Sequence, residues 1–323
     1  MHLLPLARLL ADGEAHSLES LAGQLALERG EVEAALTALL EAGVPIKRDE
    51  AGAVAVEGGL ELLNADHVTA GLTPQARALL AELDLHGAID STNTEALRRL
   101  DAAGVSGLVV SAEQQTAGRG RRGRNWVSPF AGNLYLSSTW EFAGGAEALE
   151  GLSLAVGVAV AEALASLGVD DVQLKWPNDI LHGGAKLGGI LIELTGGSAG
   201  PVAAVIGIGI NLRMPAAAGQ TIEQSWTELS RLSAVAGRNQ LLAAVLNQLL
   251  PMLPEFERSG LTPWRERWSR LDAFANREVF LERGGERIAG RALGIDERGA
   301  LRVDTGAGVQ HFDGGEVSLR AAT

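Results

Sequence analysis

The sequence predicts an α+β protein with an N-terminal winged helix-turn-helix, a central α/β domain with a mainly antiparallel sheet, and a small C-terminal β-barrel. Two observations lead to this fold class. The chain has 323 residues, whereas a single hydrophobic core stops growing at about 250 residues. The order of helical and extended patterns also changes twice along the chain. These changes place the domains at residues 1–66, 67–270 and 271–323.

Three short helical patterns and a hairpin pattern form the N-terminal segment. The first helix covers LLPLARLLADG, the second follows Ser17 as its N-cap, and the third ends at Gly43. The extended segments VPIKR and AVAVE, separated by DEAG, predict an antiparallel wing. This order is typical of a winged helix-turn-helix.

The central segment combines two clear helices with clustered strands. The helical patterns are TNTEALRRL and LSLAVGVAVAEALASLG, and the strand candidates are GLVVSAE, VQLKW, LGGILIEL and AAVIGIGINL. Because the strands cluster instead of alternating with helices, a mainly antiparallel sheet is favoured. The apolar run from Leu152 to Leu167 is shorter than the roughly 20 residues of a membrane span, so we expect a buried helix and no membrane partner.

The C-terminal segment contains REVFLE, RIAGRALGI, ALRVDT and GVQHF, separated by glycine-rich turns, which predicts the small β-barrel.

The amino-acid composition excludes several classes of site and of binding partner. With no cysteine, thiolate zinc sites and cysteine nucleophiles are excluded, and the histidine spacing, without an HxxxH or HExxH pair, predicts no zinc centre. A net charge of -13 disfavours nonspecific binding to nucleic acid. The first residues lack an export signal, so we expect a cytoplasmic protein.

An arginine-glycine segment, GRGRRGRNW at 118–126, is the most informative motif. Its glycines allow close approach of the backbone to an anion, its arginines match phosphate or carboxylate, and Trp126 can stack on a base. A solvated basic loop or an RNA-binding segment is the alternative interpretation. No P-loop and no GxGxxG after a strand occurs, so any nucleotide must be held by another device.

Three polar motifs accompany this loop. In DSTNTE, Thr92 and Glu95 match a helix capping box, which leaves Ser91 and Asn93 as candidate ligand groups at a helix start. Lys186, beside a Gly-Gly pair that leaves room for a ligand, is a candidate for placing positive charge on a phosphoryl group. Strand-end lysines are more often solvated, and glycines such as those in GIGIN often mark a bulge.

Together, and in this order, these motifs resemble bacterial biotin protein ligases that carry an N-terminal DNA-binding domain and repress the biotin operon. The likeness covers nearly the whole chain and also implies an SH3-like C-terminal barrel. It rests on DSTN at 90–93, QQTAGRGRRGRNW at 114–126, SPFAGNLYLS at 128–137, KWPNDI at 175–180, KLGGILIEL at 186–194, GIGIN at 207–211 and GGEVSLR at 314–320.

The resemblance implies roles for individual residues. The biotin and acyl-phosphate site would be lined by Ser91, Thr92, Asn93, Gln115, Arg119, Gly120, Arg121 and Lys186. Trp126 and Asn211 would lie on the adenylate side, and Asn178 and Asp179 near the phosphates, where they would assist Mg²⁺. Lys186 and Arg121 are the catalytic candidates because they would stabilise charge that develops in the transition state.

The implied reaction uses ATP and biotin to form biotinyl-5'-AMP, and transfers biotin to a lysine of the biotin carboxyl carrier protein of acetyl-CoA carboxylase. Lipoate ligases, which share the fold and the two-step chemistry, are the nearest enzyme alternative, and GRGRRGR and KWPND favour biotin. The family also implies homodimerisation with adenylate bound and operator DNA as a second partner.

The charge of the N-terminal segment opposes the DNA-binding role. Residues 1–66 contain four basic and twelve acidic side chains, and Glu28, Glu31 and Glu33 cluster at the start of the predicted recognition helix. Since phosphate contacts dominate DNA affinity, this balance is unfavourable. Lys47 and Arg48 in the wing could still contact a DNA backbone. The alternative is a domain that only stabilises the enzyme or its dimer.

Overall fold

The computed structural model describes residues 3–103, 106–196, 200–232, 237–283, 286–314 and 318–321. The described chain is a mixed α/β protein with one two-stranded, one seven-stranded and one five-stranded sheet. Its α-helices are Leu3–Leu9 (α1), Leu18–Leu25 (α2), Arg29–Glu41 (α3), Ala65–Ala70 (α4), Pro74–Leu79 (α5), Thr92–Ala103 (α6), Leu152–Ser166 (α7), Ala216–Gly219 (α8), Arg238–Ser259 (α9) and Thr262–Leu271 (α10).

The strands follow the same chain order. They are Ile46–Arg48 (β1), Val54–Val56 (β2), Glu82–Ile89 (β3), Leu108–Gln115 (β4), Leu134–Phe142 (β5), Val172–Lys175 (β6), Asp179–His182 (β7), Ala185–Gly196 (β8), Val202–Ile210 (β9), Glu278–Arg283 (β10), Glu286–Ile295 (β11), Leu301–Asp304 (β12), Val309–Phe312 (β13) and Ser318–Ala321 (β14).

The N-terminal helices and the hairpin lie where the sequence predicts them. Ser17 accepts a hydrogen bond from Ser20 N at 3.1 Å and caps α2. Helix α3 starts four residues later than α2 ends and carries a capping box between Glu28 and Glu31. The apolar faces of α1, α2 and α3 enclose a core that also receives Val54 and Val56 of the hairpin. The apolar residues of each helix recur with the helical period and lie on one face, and the three faces together form one small core.

The seven-stranded sheet has the order β3-β4-β5-β9-β8-β7-β6. Only the β3 and β4 pair among the described strands is parallel, with α6 as the crossover, and the other neighbours are antiparallel. Alternate residues of a strand face opposite sides, so Val110 packs with α6 while Val109 faces the core that contains α7 and α9. The predicted mainly antiparallel sheet is confirmed.

Helix α7 is the buried helix that the sequence predicts. With the preceding turn it forms a helical segment, Ala146–Ser166, that is long and apolar enough to cross a membrane. Its most apolar window is 67% buried within the protein. Its all-round apolar surface is explained by burial between the sheet, α9 and α10.

The C-terminal strands form an antiparallel sheet in the order β13-β12-β11-β10-β14. The sequence predicted four of these strands, and β14 was missed because SLRA is short and lacks a period-2 pattern long enough to recognise. Trp176 of the central domain is 1% exposed, and its Nε1 donates to Gly299 O at 3.0 Å. This contact attaches the C-terminal sheet beside the strands β6 and β7.

A buried ion pair fixes the N-terminal segment to the central sheet. Arg238, the first residue of α9, pairs with Glu113 of β4, and both side chains are almost fully buried. Arg238 Nη1 also donates to Glu61 O at 2.9 Å, and Leu63 N donates to Glu113 Oε1 at 2.6 Å. Strand β4, helix α9 and the segment that connects the first two cores therefore share one polar cluster.

Phe130 makes a second connection between these parts of the chain. Its side chain is 2% exposed and belongs to the N-terminal core, although the residue lies between β4 and β5. Phe130 N donates to Ala42 O at 2.8 Å. Phe130 follows Trp126 by only four residues, so the chain passes directly from the arginine-glycine segment to the N-terminal core.

One buried carboxyl group makes stability depend on pH. Burial raises the pKa of Asp272, at the end of α10, to about 6, and its Oδ2 has no hydrogen-bond partner in the described structure. The folded state therefore holds its proton more tightly than the unfolded state does. This contribution to stability is complete below pH 3.8 and is lost as the pH rises through about 6.

We expect Asp272→Asn to raise the free energy of unfolding at pH 7.5 but hardly at pH 4, by at most about 3 kcal/mol. The amide removes the buried charge, and its oxygen keeps the hydrogen bond from Phe274 N. Urea denaturation at both pH values measures the difference, with Asp101→Asn on the exposed side of α6 as the control. An equal gain at both pH values would contradict this explanation.

Candidate active site

A cavity of about 710 Å³ opens where the start of α6, the arginine-glycine segment and the ends of strands β6 to β9 converge. Most of the predicted site residues line it. They are Ser91, Thr92, Asn93, Gln115, Arg119, Gly120, Arg121, Trp126, Asn178, Asp179 and Lys186. The fold thus brings together motifs that are up to 95 residues apart in the sequence.

The start of α6 forms one wall of the cavity. Thr92 N and Oγ1 both donate to Gln115 Oε1, at 2.9 and 3.1 Å. The expected capping box between Thr92 and Glu95 was wrong, because Thr92 is already the first helical residue and its hydroxyl is bonded to Gln115. Glu95 instead accepts from Arg98 at 3.0 Å, and Ser91 O accepts the first helical bond from Glu95 N.

Asn93 lies across the sheet above Gly207. A Cβ atom at Gly207 would be 2.2 Å from Asn93 Oδ1. The β5–β9 register is continuous through this glycine, so it does not mark a bulge. Asn93 Oδ1 accepts from Ser137 Oγ at 2.6 Å, and its Nδ2 donates to Glu193 Oε2 at 2.7 Å. Gly207 is therefore required for a buried amide to lie flat against the strand.

Trp126 lies on the glycines of two neighbouring strands. A Cβ atom at Gly209 would be 2.6 Å from Trp126 Cε2, and one at Gly189 would be 3.4 Å from the same ring. Lys186 Cε is also 3.4 Å from that position at Gly189. The space predicted for a ligand beside Gly189 is thus filled in part by the indole ring and the lysine stem. Trp126 Nε1 is buried without a partner in the described structure.

Lys186 and Asp179 form a close ion pair at the cavity wall. Lys186 Nζ is 2.7 Å from Asp179 Oδ1, and Lys175 Nζ is 3.7 Å from Asp179 Oδ2. Lys186 Nζ also lies 5.5 Å from the centre of the Trp126 ring. Burial lowers the pKa of Lys175, although Asp179 opposes this effect. Two ammonium groups share one carboxylate, which leaves this wall positively charged.

The arginine-glycine segment folds over the cavity and reaches the wall of Asn178 and Asp179. Gly120 N donates to Arg124 O at 2.7 Å, so the segment forms a tight turn. Arg121 Nη1 donates to Asn178 Oδ1 at 3.0 Å, and burial lowers the pKa of Arg121. Arg119 Nη2 lies 3.2 Å from Glu193.

Further residues of the site were not selected from the sequence. The cavity is also lined by Arg122, Arg124, Lys175 and Arg320. Arg320 comes from β14 of the C-terminal sheet and pairs with Glu282 at 3.2 Å. The acidic side chains in the lining are Asp179 and Glu223. The excess of cations suits a polyphosphate. The signal was present, since Lys175 and Arg320 both occur in the motifs quoted for the resemblance.

Asn211 lies outside the cavity lining. It is 4% exposed, and its Nδ2 donates to Thr227 O at 3.1 Å and Lys186 O at 3.4 Å. Asn211 N donates to Leu187 O at 2.8 Å. The amide therefore fixes the backbone behind Lys186, and sequence reasoning had no means to separate this location from the cavity surface.

Asp84, His86 and Glu95 form a separate cluster whose nearest nitrogen and oxygen atoms approach within 4.8 Å of one another. It lies outside the cavity lining. Arg99 donates to Asp84 at 2.9 Å, and Arg98 donates to Glu95 at 3.0 Å. Guanidinium groups already neutralise both carboxylates, so this cluster is an ion-pair network of α6 and β3.

Comparisons with known proteins agree with this arrangement. Residues 87–211 match the Biotin/lipoate A/B protein ligase family, and residues 274–320 match the Biotin protein ligase C terminal domain. The bifunctional ligase/repressor BirA of Salmonella typhimurium is 40% identical over 319 residues, which is 99% of this chain and 98% of that protein. The biotin–[acetyl-CoA-carboxylase] ligase of Paracoccus denitrificans is 36% identical and covers 71% of this chain and 96% of its own.

A solved structure has the same fold. The biotin protein ligase from Aquifex aeolicus in complex with biotin and ATP superposes with a TM-score of 0.64 at 29% identity. The match covers 75% of this chain and 100% of that chain. The central α/β sheet and the C-terminal antiparallel domain are thus found together in a solved homologue.

We expect Gly209→Ala to displace Trp126 and to destabilise the protein by about 1–3 kcal/mol, because the new methyl group would overlap the indole ring. Thermal unfolding and near-ultraviolet circular dichroism measure the two effects. Gly23→Ala is the control, since a Cβ atom on that helix meets nothing within 4 Å. An unchanged tryptophan signal and an unchanged midpoint in Gly209→Ala would contradict the proposed packing.

Proposed function

The chain belongs to the biotin protein ligase family, and we propose that its cavity binds ATP and biotin, forms biotinyl-5'-AMP and releases it to a carrier lysine. The enzyme is a biotin protein ligase. The single observation that supports this use of the cavity is the convergence of Arg119, Arg121 and Lys186 on the polar start of α6. Such a site can hold two anions side by side, as adenylation requires.

The first step joins a biotin carboxylate oxygen to the α-phosphorus of ATP and breaks the bond to pyrophosphate. Two negatively charged groups must approach, so cations that offset their repulsion lower the barrier. Lys186 and Arg121 are assigned this catalytic role. Ser91, Thr92, Asn93 and Gln115 supply the buried polar groups for biotin, together with Arg119 and the backbone of Gly120.

The nucleotide is assigned to the side of Trp126, whose ring can contact an adenine. Asn178 and Asp179 would lie near the phosphates, since they share the wall with Lys175 and Lys186. Mg²⁺ commonly binds one or two carboxylates together with phosphate oxygens. Asp179 is the carboxylate of this wall, and it would have to exchange its ion pair with Lys186 for the metal. Bound Mg²⁺ would reduce the charge of the phosphates. Asn211 acts from behind by fixing Lys186.

The second step forms an amide between the carrier lysine and biotin, and AMP leaves with the electrons of the anhydride bond. The lysine amine must lose a proton, and water must be kept from the mixed anhydride. The segment at 118–126 closes one side of the cavity and suits this exclusion. The carrier is the biotin carboxyl carrier protein of acetyl-CoA carboxylase, which a cytoplasmic enzyme would meet. A lipoate ligase remains the alternative that substrate exchange tests.

The domain assignment follows the same proposal. Residues 1–66 are a winged helix-turn-helix, 67–270 the catalytic domain, and 271–323 an SH3-like barrel. We assign homodimerisation to the adenylate-bound state, as in ligases that repress transcription.

DNA binding is the second candidate function, favoured by the ligase/repressor relatives. Three of the four basic residues of the N-terminal segment are engaged in ion pairs within that segment. Arg48 pairs with Glu33, Lys47 with Glu57, and Arg29 with Glu19 at 2.9 Å. DNA phosphates would have to compete with these carboxylates. We therefore favour stabilisation of the enzyme over operator binding as the role of the N-terminal segment.

We expect Lys186→Ala to reduce carrier biotinylation about ten- to hundred-fold, because it removes a charge-assisted contact to the reacting groups. The purified protein is incubated with ATP, magnesium, biotin and a carrier domain, and the mass of the carrier is measured. Lys47→Ala, an exposed hairpin lysine, is the control. Lipoate in place of biotin should give no product, and equal use of lipoate would favour the alternative ligase. Absence of biotinylation by the folded wild type would contradict the function.

We also expect DNA affinity to stay in the nonspecific range, with a Kd weaker than about 1 μM at physiological salt. The acidic balance and the internal ion pairs of residues 1–66 are the reason. Fluorescence anisotropy with the promoter of the chain's own biotin genes, with and without biotin and ATP, provides the measurement. Nanomolar binding that a scrambled duplex does not compete away would overturn this expectation.

A further inference from the structure

Glu193 is a charged residue behind the cavity that the proposed reaction does not use. It belongs to strand β8 and is outside the cavity lining. Its carboxylate accepts from Asn93 Nδ2 at 2.7 Å and lies 3.2 Å from Arg119 Nη2. One carboxylate thus joins the start of α6 to the arginine-glycine segment.

The carboxylate also decides which way the Asn93 amide points. An ionised carboxylate only accepts hydrogen bonds, so the amide nitrogen of Asn93 must face Glu193. The amide oxygen then faces Ser137 Oγ and accepts a hydrogen bond from it at 2.6 Å. Ser137 Oγ is 2.7 Å from Thr92 Oγ1, which is bonded to Gln115. Glu193 therefore fixes the orientation of the Asn93 amide and of the Ser137 hydroxyl.

The second partner of Glu193 is the first arginine of the loop. Arg119 Nη2 also donates to Thr94 Oγ1 at 3.3 Å, so its guanidinium is held over α6. The Arg119–Asn125 bridge closes the loop on itself. Holding Arg119 therefore holds the base of the whole turn. The pair is half-buried, with side-chain exposures of 45% and 28%, so solvent weakens it without removing it.

We propose that Glu193 is a positioning residue that keeps the arginine-glycine segment closed and thereby retains the adenylate between the two steps. This inference rests on the proposed function, because it assigns a role within the same site. Glu193 touches no reacting atom in this scheme. It acts through Arg119 on the loop and through Asn93 on the biotin wall.

The test measures adenylate release by the full-length enzyme. Labelled biotinyl-adenylate is formed on the protein and chased with unlabelled biotin, and carrier biotinylation is measured in parallel. Glu193→Gln should release adenylate about tenfold faster and raise the KM for biotin about tenfold, while kcat with saturating biotin and carrier changes less than about twofold. Glu193→Asp, which keeps the charge on a shorter stem, should lie between these values.

A double-mutant cycle identifies the partner. If Glu193 acts through Arg119, Glu193→Gln should add little to the faster release caused by Arg119→Gln. Glu162→Gln is the matched control, because Glu162 pairs with Arg267 at a comparable exposure outside the cavity. If Glu193→Gln does not fold, judged by circular dichroism, Glu193→Asp carries the same comparison.

Three outcomes would overturn the inference. Unchanged release in folded Glu193→Gln, or fully additive effects with Arg119→Gln, would remove the positioning role while leaving the ligase intact. A fall in kcat without faster release would also contradict it, since that result indicates a general structural effect. A wild type that does not biotinylate the carrier would instead contradict the proposed function itself.

Discussion

The buried ion pair between Arg238 and Glu113 connects more of this structure than any local motif does. A charge inside a protein is stable only if it is paired and hydrogen-bonded. Here Arg238 Nη1 also donates to Glu61 O, and Glu113 accepts from Leu63 N, whereas Arg238 Nη2 is buried without a partner in the described structure. Removal of one partner of such a pair typically costs about 3–5 kcal/mol. Glu113 lies two residues before Gln115, so the pair also fixes the strand that presents Gln115 to the cavity.

The glycines of β8 and β9 carry a different constraint. Glycine weakens a strand, because it packs poorly and loses more entropy than other residues. The central sheet accepts this cost at Gly207 and Gly209, where Asn93 and Trp126 lie directly on the backbone. The flat floor of the site is thus made of main chain, and the functional side chains come from elements packed above it. Gly207 and Gly209 therefore weaken the strand and at the same time make room for the side chains that line the site.

Much of the fold could be predicted because the signals are local. Ser17 caps helix α2 as predicted, the two strands of the hairpin flank the predicted turn, and the clustered strands form the mainly antiparallel sheet. The site was predicted by motif order, and the fold does gather most of those motifs around one cavity. Binding roles of the individual residues remain predictions, as do the winged-helix and barrel assignments.

The structure differs from the sequence-based predictions where contacts between distant segments fix the position of a residue. Thr92 bonds to Gln115 on another element, and this contact shifts the helix start by one residue from the expected cap. Asn211 faces away from the cavity because β9 ends beside the segment that contains Thr227. Arg320 enters the cavity only because β14 pairs with β10. These contacts join segments that are far apart in the sequence, and no sequence spacing predicts them. They could be recognised only in the three-dimensional structure.

The position of Phe130 bears on how this chain can change during evolution. A side chain from the ligase half completes the core of the N-terminal half, so deletion of the first domain would leave an aromatic ring in water at the base of the arginine-glycine segment. Loss of operator recognition would therefore relieve selection on the surface of the domain but not on its interior.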